Sequence, residues 1–291
     1  YEQIPTLVCP TAENGAHYVA RQVAKAIQTK TLKGEKFVLG LSTGKSPVGI
    51  YRELVRMHRE ESLSFKNVVV FSLDEFYPVN AEEDHSRSRA MREELLKHVD
   101  IEENNIHLLS GNVPLDEISS YCRGYEEKIA EAGGIDLMLL GIGADGQIGF
   151  NEPGTFVNTK TRLVALSNNT CKVIADDIRI GDNVPNRALT MGLTTLLSAR
   201  QVIMFAWSED KSKALERVVE GAVDIAVPAS VMQTHPNVEF VVSEDVAVEL
   251  TRFKKPWLVG TCQWTDKFIR KAVLWLCQQV DKPILKLTYQ D

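Results

Sequence analysis

Three short stretches and one lysine carry the residue types that handle anions and protons. Thr43-Gly44-Lys45-Ser46 places two hydroxyls and an ammonium on a glycine-containing turn. Where such a turn leads from a strand into a helix, backbone N–H groups and the helix dipole favour a phosphate. The turn is not a Walker A loop, because GxxxxGK[ST] needs glycine where Leu39 stands, and a plain strand-to-helix turn fits it equally. Asp74-Glu75 follows the apolar run Val68-Val-Val-Phe-Ser-Leu73. Burial of one of these carboxyls would raise its pKa and suit it to act as a general base; a helix cap or a surface ion pair is the alternative. Gly141-Ile-Gly-Ala-Asp145-Gly-Gln147-Ile-Gly-Phe-Asn151-Glu152-Pro153 gathers glycines and polar groups into one loop. It is not a dinucleotide fingerprint, since the third glycine is misplaced and no helix-forming run follows at once. Lys211, after an apolar run, can reach a ligand over a sheet edge or stand as a solvated surface lysine.

Other chemistries find less support. The six histidines, at 17, 58, 85, 98, 107 and 235, form no HExxH or ligand-like cluster, so a metal site is not expected. The five cysteines, at 9, 122, 171, 262 and 277, are scattered without a CxxC pair, which suits a reducing cytosol better than a disulfide framework or zinc knuckle.

These residues need positioning. Apolar residues from Thr11 to about Thr29 recur at helical spacing behind a threonine that could cap the helix. Lys36–Leu41 is a continuous apolar run suited to a strand buried on both faces, and Val48–Arg59 is again helical. The cycle repeats with Val68–Ser72, a polar loop from Asp74 and a helix around Arg89–His98, then with Ile135–Gly141. Gln201–Ala206, a helical Lys211–Glu220 and a last strand at Val238–Val242 follow. Strands alternating with helices predict an α/β fold with a doubly wound, mostly parallel sheet and helices on both faces. Ligands then bind at strand carboxyl ends, near the point where strand order reverses, which is where the four polar segments fall.

The chain has 291 residues, 44% hydrophobic and 25% charged, without a linker that would separate two domains. Its 33 Lys+Arg against 39 Asp+Glu give −6, so the overall field favours neither nucleic acid nor an acidic membrane, and an anionic ligand must be held locally. The first ten residues lack a basic segment and a long apolar run, so no signal peptide is expected, and no window has the length of a membrane span. Lys254-Lys-Pro-Trp257 reads as a boundary and Trp264–Val280 as a terminal helix.

Taken in order, these segments resemble the glucosamine-6-phosphate deaminase/isomerase family, which shares its fold with 6-phosphogluconolactonases. The resemblance spans roughly Phe37 to Leu250 and rests on Leu39–Pro47, Phe71–Phe76, His98-Val-Asp-Ile, Gly141–Pro153, Pro185–Gly192 and Val218-Val-Glu-Gly. Asn151-Glu152-Pro153 is the ending of the deaminase branch. The family's reaction opens the sugar-phosphate ring, moves a proton between C2 and C1 and releases ammonia to leave fructose 6-phosphate, with no metal or other cofactor. By this resemblance Asp74 takes the C2 proton, and Asp145 and Glu152 orient the ring-opening group. Thr43 to Ser46 (Thr43, Gly44, Lys45, Ser46) and Lys211 hold the phosphate, and Tyr125 falls at the family's active-site tyrosine.

Two departures stand out. Gln147 replaces the family's ring-opening histidine; an amide hydrogen-bonds but exchanges no proton near neutral pH, a loss of about 10²–10⁴-fold if general acid–base catalysis has its usual worth. Asp176 falls where the family has a phosphate-binding arginine, with Lys172 and Arg179 nearby, and an acidic side chain there would repel a phosphate. Of the family's effector-binding residues Arg162 has a counterpart, but Val164 and Ala165 replace the polar pair after it, so allostery is not expected.

The expected organisation is a sugar-phosphate domain over 1–252 and a C-terminal helical extension over 253–291, a linker to a second domain. With Tyr1 in place of Met, this suggests a fragment. The expected setting is cytoplasmic, with a small sugar phosphate as partner, no nucleic acid or membrane, and a homo-oligomeric state. A catalytically weakened sugar-phosphate-binding module is the rival of a different class. A 6-phosphogluconolactonase-like hydrolase is disfavoured by Asn151-Glu152-Pro153.

Overall fold

The structure, a computed structural model, describes residues 1–178 and 184–291. The elements in chain order are β1 (Thr6–Cys9), α1 (Ala12–Leu32), β2 (Phe37–Leu41), α2 (Val48–Glu60), β3 (Val68–Ser72), β4 (Asp74–Tyr77), α3 (Arg87–Glu94), β5 (Ile106–His107), α4 (Ile118–Glu131) and β6 (Leu137–Gly141). There follow β7 (Arg162–Ala165), α5 (Asn168–Ile178), β8 (Arg187–Thr190), α6 (Leu193–Leu197), β9 (Gln201–Ala206), α7 (Ser212–Val219), β10 (Val238–Ser243), α8 (Thr251–Lys254) and α9 (Asp266–Val280).

Seven strands form the main sheet in the order β1-β10-β9-β6-β2-β3-β5, every neighbour pairing parallel. Side chains alternate across it. Leu39, Leu41, Val68 and Val70 join a core with α1 and α2, through Val19, Val23, Ile27 and Leu54. Val38, Val69, Phe71, Met138 and Leu140 face a second core that includes Ile129 of α4 and Val218 of α7. β2 and β3 are therefore buried at every position, as their unbroken apolar runs require. From β2 the chain builds outward through β3 and β5, then returns to lay β6 on β2's other side. The β2/β6 boundary is thus the switch point, and the turn after β2 and the loop after β6 open beside one another.

The structure corrects one part of the expected organisation. Asp74 and Glu75 do not begin a polar loop; they begin β4, which joins β8 and β7 in a separate three-stranded antiparallel sheet. Only Leu73 separates β3 from β4, and all four β4 residues are buried. Helix α3 correspondingly starts earlier, at Arg87, and ends at Glu94, with a 3₁₀ turn over Leu96–His98. Phe76, Phe150, Leu166, Ile174 and Ala188 make a small core under the second sheet. Beyond α8, Trp257 packs its ring against Trp264, Phe268 and Trp275, with centroids 6.3, 6.5 and 6.4 Å away. No residue of α9 is buried.

Candidate active site

One cavity of about 180 Å³ opens at the switch point. Its walls include Thr43, Gly44, Lys45 and Ser46 after β2, Asp74, Gln147 from the loop after β6, Thr170 of α5 and Lys211. A neighbouring cavity of about 230 Å³ shares Thr43, Gly44, Lys45 and Arg87 with it and extends toward Met91 of α3. A larger groove of about 900 Å³ runs along α4 past Arg162, away from these loops.

The turn after β2 reaches the cavity because Gly44 takes φ +88°, a left-handed conformation that glycine adopts without strain. A Cβ on Gly44 would also lie 3.3 Å from Arg87 Nη1. Ser46 is tied down through its carbonyl, which accepts from Trp207 Nε1 at 2.9 Å. Helix α2 begins after Pro47 with no side chain capping its N-terminus; Val48 N–H turns back to the Lys45 carbonyl at 3.3 Å, and the positive end of the helix dipole faces the turn.

Asp74 is 3% exposed. Thr43 Oγ1 donates to its Oδ1, and Arg87 Nε stands 3.5 Å from the same oxygen. Burial pushes the Asp74 carboxyl up from its ordinary range; the Arg87 charge and then the Thr43 hydroxyl pull it back, and Glu75 pushes it up again, leaving it raised. Glu75 points elsewhere and is spent on structure. Its carboxylate accepts from Ser86 Oγ at 2.8 Å, Arg87 N–H at 2.9 Å and Ser88 N–H at 2.8 Å, bracing the first turn of α3. The two carboxylates thus part company: Asp74 is buried and lines the cavity, while Glu75 braces the start of a helix.

In the loop after β6, Gly146 takes φ +85°, and a Cβ there would meet Val227 Cγ1 at 2.5 Å. Asp145 Oδ1 accepts the backbone N–H of Gln147 at 3.1 Å, so it shapes the loop and does not touch the Gln147 amide. Glu152 binds Ser167 N–H at 3.1 Å, Ser167 Oγ at 3.0 Å and Thr170 Oγ1, at the start of α5. Thr170 Oγ1 also lies 3.5 Å from Gln147 Oε1, a long contact that makes it the link between Glu152 and Gln147. Asn151 Nδ2 donates to the carbonyls of Ile148 and Met191, locking the far end of the loop.

Lys211 ends a 3₁₀ turn after β9, its side chain 20% exposed, and its Nζ lies 2.6 Å from Asp210 Oδ2. Two expectations need correction. Tyr125 does not line the cavity: it is buried in the core, its hydroxyl bonding the carbonyls of Ser72 at 2.8 Å and His107 at 3.1 Å, where it fastens β3 to β5. Asp176 and Lys172 are exposed on α5, outside the cavity's lining, so Asp176 does not stand in the cavity wall where a phosphate-binding group was expected. Arg179 lies outside the described residues. Arg87 and Thr170, which sequence patterning did not single out, do line the cavity. Ser86 was the available signal for Arg87: as an N-cap serine accepting from Arg89 N–H, it sets Arg87 at the first helical position.

Residues 10–241 match the family model for glucosamine-6-phosphate isomerases and 6-phosphogluconolactonase. The whole chain is 44% identical to a glucosamine-6-phosphate deaminase-like protein of Bacteroides thetaiotaomicron, of whose length it spans 44%. Glucosamine-6-phosphate deaminase of Halothermothrix orenii is 37% identical over 235 residues, which are 81% of this chain and 97% of that protein. Among solved structures, a monomeric glucosamine-6-phosphate deaminase superposes with a TM-score of 0.80 at 33% identity, covering 84% of this chain and all of its own.

Proposed function

Because the chain belongs to the glucosamine-6-phosphate isomerase/6-phosphogluconolactonase family, we propose that it converts an amino-sugar phosphate, glucosamine 6-phosphate, to fructose 6-phosphate and ammonia. One observation carries this reading: a buried, ionisable Asp74 shares a single small cavity with two lysines and the hydroxyl-bearing turn after β2. Lys45, Lys211 and the Thr43–Ser46 turn at the open end of α2 hold the phosphate, and the sugar then extends toward Asp74.

On the open-chain sugar, Asp74 takes the proton from C2 and returns it to C1. The nitrogen-bearing carbon becomes an imine, which water hydrolyses to the ketone with loss of ammonia. A carboxylate raised toward neutrality suits both halves of that transfer. Gln147 takes the place beside the ring oxygen and hydrogen-bonds it without moving a proton, so the enzyme draws on sugar that has opened spontaneously. The scheme uses no metal or cofactor.

Incubating the protein with glucosamine 6-phosphate and following ammonia and fructose 6-phosphate tests the reading; no product above the uncatalysed rate overturns it. Gln147 favours one second reading, a sugar-phosphate-binding module with weakened catalysis, which calorimetry would reveal as binding without turnover. A cytoplasmic setting agrees with five free cysteines. A homo-oligomer also belongs to the proposal, and sedimentation velocity decides between it and a monomer.

A further inference from the structure

Arg87 is held more firmly than a surface ion pair would be. Its main-chain N–H is fixed by Glu75. Its guanidinium packs against two adjoining rings, 4.6 Å from the centroid of Phe76 and 4.8 Å from that of Phe150, which are themselves 5.5 Å apart. Nη1 donates to Thr43 Oγ1 at 2.6 Å, the hydroxyl that itself donates to Asp74. Nε, 3.5 Å from Asp74 Oδ1, is buried with no hydrogen-bond partner among the described residues. The guanidinium thus acts on one carboxylate oxygen by two routes, through space and through a shared hydroxyl.

We propose that Arg87 is the positioning residue of this site: seated on the paired rings of Phe76 and Phe150, it keeps the Asp74 carboxylate charged and aimed in a cavity that would otherwise favour its neutral form. The proposal rests on the reading of Asp74 as the proton-transferring base. An opposite charge at this range typically lowers a carboxyl by about 1–3 pH units, and the burial of Asp74 limits the water that would screen it. Among the groups facing Asp74, Glu75 on its own strand opposes ionisation, its charge taken up largely by the start of α3. Thr190, its partner on β8, is uncharged, and the Tyr51 hydroxyl of α2 is committed to the Ser42 carbonyl. Lys45, Lys211 and the neutral Gln147 line the same cavity. Among the described residues Arg87 is the group in ion-pair contact with Asp74, and a guanidinium is the side-chain cation least given to losing its charge.

The test is a carbon-13 carboxyl NMR titration of the full chain, with Asp74 identified by the signal that Asp74→Asn removes. In Arg87→Met and Arg87→Gln the Asp74 midpoint should rise by about 1–3 pH units, and Arg87→Lys should restore most of the difference. The acid limb of kcat/KM for glucosamine 6-phosphate should move up by the same amount. A purely structural role would lower the rate at all pH values and leave the limb in place. An unchanged Asp74 midpoint in whichever neutral variant folds overturns the proposal. The titration needs no turnover, so a protein without deaminase activity would sink the functional reading and leave this one measurable.

Discussion

Gln147 stands where the family resemblance leads one to expect a ring-opening histidine, and the surroundings of that side chain say what such a substitution would do. Thr170 already stands between Gln147 and Glu152, so a histidine at 147 would meet a hydroxyl backed by a carboxylate. Gln147→His should raise the deaminase rate by about 10²–10⁴-fold in steady-state assays if ring opening limits turnover. No gain would mean that a later step limits. Asp74 makes a second prediction. On the proposed reading it must be ionised to accept the C2 proton, and its carboxyl is raised in the folded protein, so activity should be present above its pKa and lost as pH falls through it. The acid limb of kcat/KM should therefore lie above the ordinary carboxylate range, near 4, for an exposed aspartate. The individual residues were unevenly legible in the sequence. Asp74 and Gln147, singled out from their motif positions, both line the cavity. Tyr125 was misplaced because position in a motif does not say which side of a sheet a helix residue faces.

At the scale of elements, the link that matters runs from β4 to α3. A cation at the first position of a helix opposes the macrodipole, and Arg87 occupies that position only because the Glu75 carboxylate lies against the same N–H groups. Glu75→Gln would set an amide against those donors and should destabilise the fold by about 2–4 kcal/mol in denaturant titrations. It should also lower kcat by about tenfold or more, since Arg87 loses its anchor. Strands β2, β3, β6, β9 and β10 could be read from their apolar runs. Strand β4 could not: Asp-Glu opening a strand contradicts propensity, and only its pairing with β8 and the small core beneath make the conformation favourable. The short β7 and β8 were missed for the same reason, their stability coming from partners distant in sequence.

The whole molecule repeats this contrast between what is buried centrally and what is attached. The doubly wound sheet and its switch point follow from alternation of strand and helix, and the site stands where that topology puts it. We propose that residues 253–291 form an extension to this core. Its aromatic cluster turns on Trp257, so Trp257→Ala should speed hydrogen exchange in α9 by about tenfold or more, a loss of about 1–2 kcal/mol of local stability, while protection of β2 and β3 stays unchanged. Equal loss of protection in the sheet would show that the segment is part of the core. The placement of the tryptophans has a practical sequel. Of the four in the chain, Trp257, Trp264 and Trp275 sit together beyond the sheet, and the fourth, Trp207, stacks on Phe205 and bonds the turn beside the cavity. With the distal three changed to phenylalanine, the protein would carry a single tryptophan, and its selectively excited emission would register arrival of a ligand at that turn without any added label.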